Sequence, residues 1–67
     1  MSIKDEYLEG KYTDVKGFIY RCFKSTLYDE TNKWVICIYN SNGRFCSSTE
    51  YFKDEAINQL FGFLKVE

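Results

Sequence analysis

Three cysteines, Cys22, Cys37 and Cys46, are the side chains here best suited to covalent or metal chemistry, and they stand fifteen and nine residues apart. A structural zinc site asks for ligand pairs about two to four residues apart, and a disulfide framework asks for an even count. Neither pattern is met. The sequence has no histidine, so the base that usually activates a cysteine or serine nucleophile is missing, and a mixed Cys/His site is impossible. The cysteines therefore read as reduced, buried, small apolar residues.

Carboxylates at Asp5, Glu6, Glu9, Asp14, Asp29, Glu30, Glu50, Asp54 and Glu55 fall where caps, turns and the solvent side of a helix are expected. Solvation accounts for them without catalysis. Gly10, Gly17, Gly43 and Gly62 are isolated, so no glycine-rich loop is present to cradle a phosphate. The expectation is a non-enzymatic protein with no cofactor and no metal. Lys16, Arg21, Lys24, Lys33 and Arg44 are interleaved with Phe18, Tyr20, Trp34 and Tyr39, a mixture able to stack bases on an open sheet. The net charge of −1 and the nearby Asp29, Glu30 and Glu50 weigh against a phosphate-driven interface.

With 67 residues there is room for one core only. The chain is 45% hydrophobic and 28% charged, the charges are dispersed, and six Tyr, six Phe and one Trp supply large apolar area from few positions. No apolar run approaches a membrane span and the first twelve residues do not resemble a signal peptide, so a cytoplasmic location and no membrane partner are expected. One alanine, no proline and many Lys, Asn, Ile, Tyr and Phe suggest AT-rich codons, as in a phage or mobile element.

The elements that would position these residues follow from pattern. Ile3, Tyr7 and Leu8 at near-helical spacing, with Ser2 as a cap and Gly10 as a breaker, leave room for a short N-terminal helix in an arm over 1–14. The aromatic and β-branched run over 16–28 predicts a first strand, 29–33 a polar turn, and the nearly apolar 34–40 a central strand. Asn42-Gly43 is the sharpest local signal, a two-residue type I′ hairpin leading into a third strand. Ser48 or Thr49 would cap a helix over 50–65, with Ile57, Leu60, Phe61 and Leu64 on one stripe. The expected fold is therefore α+β: a three-stranded antiparallel sheet (β-β-β-α) over 16–49, with one C-terminal helix packed on one face.

The helix, three-strand, helix order is similar to that of the double-stranded-RNA-binding domain. In the stretch Phe52-Lys53-Asp54-Glu55-Ala56, that resemblance carries over only Lys53 to the family's lysine cluster at the last helix. Without the first helix, the order resembles small antitoxin domains of the HicB type.

A two-residue turn would place Trp34, Ile36, Ile38 and Phe45 on one face, and Val35, Cys37, Tyr39 and Cys46 on the other. Both faces are apolar and one helix covers only one of them, so the surplus implies a partner. The leading expectation is a small regulatory or inhibitory protein that binds another protein, itself or both. Tyr20, Trp34 and Tyr39 are the candidate anchors, at least one of them structural because Trp34 and Tyr39 fall on opposite faces, and Arg21 and Arg44 are rim contacts. A nucleic-acid-binding module and a self-associating subunit are the alternatives. Denaturation without reductant should expose three titratable thiols; a count of one would reveal a disulfide and overturn the reading of the cysteines.

Overall fold

The computed structural model describes residues 4–25 and 33–67. Its elements are helix α1 (Asp5–Leu8), strands β1 (Gly10–Thr13), β2 (Ile19–Lys24), β3 (Lys33–Tyr39) and β4 (Phe45–Phe52), helix α2 (Lys53–Leu60) and strand β5 (Leu64–Lys65). All strand pairs are antiparallel and the sheet order is β4-β3-β2-β1-β5. Ser2, Ile3, all of the expected 29–33 turn but Lys33, and the far end of the expected first strand lie outside the described residues; Lys33 itself opens β3.

The three-stranded expectation is corrected to a five-stranded sheet with two short helices. Two strands were hidden by their brevity. β1 is only Gly-Lys-Tyr-Thr, inside what reads as an arm, and it is held by pairing with β2 rather than by any pattern of its own. β5 is two residues, and it exists because α2 ends early: the Phe61 amide bonds the Asn58 carbonyl at 3.3 Å and the Phe63 amide the Leu60 carbonyl at 3.0 Å, turning the chain back to β1.

Helix α2 also starts later than expected. Thr49, Glu50, Tyr51 and Phe52 continue β4, each opposite a β3 residue, so neither Ser48 nor Thr49 caps anything. Phe52 is the N-cap, and the Glu55 carboxylate accepts its amide at 3.2 Å. This is half of a capping box, because phenylalanine has no acceptor to return. The α-β-β-β-α order behind the RNA-binding resemblance, and the strand-strand-strand-helix order behind the antitoxin one, accordingly give way to α-β-β-β-β-α-β.

The hairpin between β3 and β4 is tight, but it is not the two-residue type. The Gly43 amide bonds the Asn40 carbonyl and the Asn40 amide bonds the Arg44 carbonyl, both at 2.9 Å. The Asn40 side-chain oxygen accepts from the amides of Asn42 and Arg44, each at 2.9 Å. The loop is thus Ser41-Asn42-Gly43, with glycine alone at φ 83, the three-residue form that needs one left-handed residue instead of two. The register then slips: Ile38 faces Ser47 and Tyr39 faces Phe45, leaving Cys46 as an extra residue. Phe45 therefore joins Tyr39, and not Trp34, Ile36 and Ile38 as expected.

One face of the sheet is the core. Tyr12, Cys22, Trp34 and Ile36 form a buried cluster with Leu8 of α1 and Ala56 and Leu60 of α2; Trp34 is 1% exposed and Ala56 0%. Tyr12 directs its hydroxyl to the Leu8 carbonyl at 2.7 Å, so this partly polar core residue is satisfied. A single chain thus buries Trp34, which withdraws it as a sign of missing cover.

Trp34→Ala should cost about 3–5 kcal/mol in urea unfolding, the usual penalty for emptying a large core site. Gly43→Val should cost roughly 1–2 kcal/mol from backbone conformation alone, since a Cβ there meets nothing within 4 Å. Gly10→Ala should cost more, because at φ 148 its Cβ would lie 2.1 Å from the Glu67 carbonyl oxygen. Equal effects at the two glycines would refute the close approach of the C-terminal segment to β1.

Candidate functional site

Among the described residues no helix lies on the opposite face of the sheet, and registry sorts its side chains into rows. At one end Thr13, Ile19, Tyr39 and Phe45 are successive cross-strand neighbours. The middle row is Lys11, Arg21, Cys37 and Ser48. Beyond it come Phe23, Val35 and Glu50, then Lys33 and Phe52. A basic row is thus flanked on both sides by apolar and aromatic ones.

Phe45 packs edge-on against Tyr39 with ring centroids 5.7 Å apart, yet remains 54% exposed. Phe52 is equally exposed and has the Lys33 ammonium 4.1 Å from its ring centroid. Lys11, Ile19, Arg21, Tyr39 and Gly43 line a shallow depression of about 210 Å³.

The acids are unevenly spread between the two sides. Among the described strand residues on the open face, Glu50 is the only acid, against Lys11, Arg21 and Lys33. The helix layer carries Asp5, Glu6, Asp54 and Glu55. There Asp5 binds Lys53 at 2.8 Å and Lys24 at 3.4 Å, and chiefly the Lys53 hydrogen bond draws its carboxyl below the ordinary value. Lys11 on the open face is paired with Glu67 at 3.2 Å, an exposed contact of small energetic weight.

The five sequence-predicted partner residues divide. Arg21 and Tyr39 lie on the open face, in adjacent rows, and Arg44 is exposed at the end of the loop, opposite Asn40. Trp34 is core. Tyr20 faces Ile38 on the helix side, packs on Phe63 with ring centroids 4.6 Å apart, and donates to Asp14 at 2.8 Å. It is therefore structural. Phe45 and Lys11 are members of the face that sequence reasoning does not place there: Phe45 because a two-residue hairpin is one residue too short, and Lys11 because β1 reads as arm.

Asp14 shows where a chemically suggestive carboxylate goes. Its Oδ1 accepts the Lys16 and Phe18 amides at 2.9 and 3.1 Å while Oδ2 takes the Tyr20 hydroxyl. The Tyr20 hydrogen bond, aided by the two amides, holds the carboxyl below its ordinary range. Loss of water chiefly, and the Asp14 partner next, push Tyr20 from 10.0 up to about 12. This clamp closes the β1–β2 hairpin. Cys22 is similarly withdrawn from chemistry, because burial raises its thiol to about 11 and removes the thiolate near neutrality. Cys37 is half-buried and Cys46 exposed, and both are free.

Among the described residues no group of three or more Cys, Asp or Glu is disposed to hold a metal ion, and no helix is long and apolar enough to cross a membrane. No protein-family model, curated protein or solved structure matches the chain.

The clamp sets a pH dependence at both ends. Because Tyr20 is raised on folding, its contribution is complete below about pH 10 and is lost as pH climbs from 10 towards 12. Because Asp14 is lowered, its contribution is present above its ordinary value of 3.8 and is lost as pH falls below that value. A phenolate absorbance titration should show an inflection near pH 12 that moves down in Asp14→Asn. An unchanged inflection would deny the contact.

Proposed function

We propose that this chain is a non-catalytic binding protein, a small regulator or inhibitor, whose open sheet face occupies an acidic and partly apolar surface of another protein. The observation that carries the reading is the row Lys11-Arg21 between Ile19-Tyr39-Phe45 on one side and Phe23-Val35 on the other. Exposed aromatic groups beside arginine are the composition of interface anchors, and a rigid sheet presents them with little ordering cost. Phe45 and Tyr39 are the anchors, Arg21 the charged contact, and Arg44 the rim.

A second reading, single-stranded nucleic acid, is favoured by the segregation of charge: the overall balance is −1, yet the open face is basic and aromatic. The flanking rows hold aliphatic Ile19 and Val35 as well as rings, and Glu50 stands in one of them, which suits a protein surface better than a continuous stacking track.

Photo-crosslinking amino acids placed at Arg21 and Phe45, with Gln59 on the exposed side of α2 as control, distinguish these readings in extract of the source cell. A nuclease-resistant protein adduct from the first two sites, absent from the third, is the expected result. With that partner purified, Tyr39→Ala and Phe45→Ala should each weaken binding by about tenfold or more. A nucleic-acid adduct whose affinity falls steeply with salt would replace the protein reading by the second one.

A further inference from the structure

The two edges of the sheet differ sharply. β5 is two residues long, and the chain beyond it closes on Lys11: the Val66 amide bonds the Lys11 carbonyl at 2.8 Å and the Lys11 amide the Glu67 carbonyl at 3.1 Å. That edge is short and flanked by charge. β4 is the longest strand among the described residues, eight in all, each exposed except half-buried Tyr51. It contains no lysine and no proline, the usual guards of a free edge, and its one charge is Glu50. The Cys46 bulge interrupts its start, but Ser47 to Phe52 run opposite consecutive β3 residues.

The phase of the free backbone groups can be read from the ends of the strand. Asn40 and Arg44 form a hydrogen-bonded pair, and alternation from there through the bulge turns the amides and carbonyls of Thr49 and Tyr51 towards β3 and those of Ser48 and Glu50 outward. Phe52, in the same phase as Glu50, confirms this: its amide bonds the Glu55 carboxylate.

We infer that the β4 edge receives a second copy of this chain, antiparallel across a two-fold axis at Thr49, joining two sheets into one of ten strands. The occupant is specified by self-complementarity. With the axis at Thr49, Ser48 of each copy stands opposite Glu50 of the other, so their outward groups exchange four backbone hydrogen bonds and no like charges meet. The two threonines face each other, a favourable cross-strand pair. Exposed Phe52 of one copy then comes beside exposed Phe45 of the other on the open face. An axis at Glu50 would oppose two carboxylates, and one at Ser48 would set Glu50 against the Cys46 bulge. The inference concerns the edge and does not depend on what the open face binds.

The joint is small, so the dimer should be weak, with Kd on the order of 100 μM. Sedimentation velocity of the full chain in reductant tests it, the reductant excluding a Cys46 cross-link. Thr49→Lys and Thr49→Glu, both at an exposed position, should each weaken self-association by at least about tenfold through like charges on the axis, and an equimolar mixture should restore a dimer. Far-ultraviolet circular dichroism matching the parent shows that each variant is folded. If either is not, Ser48→Pro, which deletes an outward amide while sparing the β3 ladder, takes its place and should give monomer. A parent chain monomeric well above that concentration, or a dimer indifferent to these substitutions, overturns the inference.

Discussion

Trp34 disappears almost completely into one cluster with Cys22, Ile36, Ala56 and Leu60, and the remainder of the architecture follows from that burial. Ala56, with no exposed area at all, lets the short helix α2 approach the sheet closely where the indole lies. Two helices of four and eight residues can cover one side of the sheet and no more. Because side chains alternate along every strand, committing Trp34, Ile36 and Cys22 to the covered side commits Val35, Cys37, Arg21 and Phe23 to the bare one. The composition of the bare face is thus a consequence of how the core was satisfied.

Polar groups that might suggest chemistry serve instead to hold this frame. Asp14 knots the β1–β2 turn through two amides and the Tyr20 hydroxyl, and Asn40 performs the equivalent task between β3 and β4. Asp5 ties α1 to Lys24 of β2 and Lys53 of α2. These contacts draw carboxylates to the turns and the helix layer, which leaves the bare face basic although acids outnumber bases in the chain.

The two proposed surfaces divide the work of one sheet. Recognition by the bare face uses side chains, whereas association at β4 uses main-chain groups that any sequence possesses but few edges leave so unguarded. Joining two copies along β4 would double the open face and present it twice to a symmetric or repeated partner, which raises apparent affinity without any new contact.

Pattern alone placed a strand within 16–28 and another over 34–40, which the structure sets at Ile19–Lys24 and Lys33–Tyr39, and it gave the even-odd separation of Trp34 from Tyr39, because alternation and β-branched or aromatic content are local properties. It also located a hairpin at Asn42-Gly43 and a helix in the C-terminal third, though it started that helix at 50 rather than 53. Tertiary structure decided what depends on distant residues. β1 and β5 are too short to announce themselves and exist through pairing with β2 and with each other. Glu50, Tyr51 and Phe52 fit a helix or a strand, and opposition to Val35, Trp34 and Lys33 made them strand. Whether the turn held two residues or three rested on the Asn40 carboxamide, and that single residue moved Phe45 from the covered face to the open one. Since a one-residue slip exchanges the faces of a strand, the membership of the site was the least legible feature of the sequence.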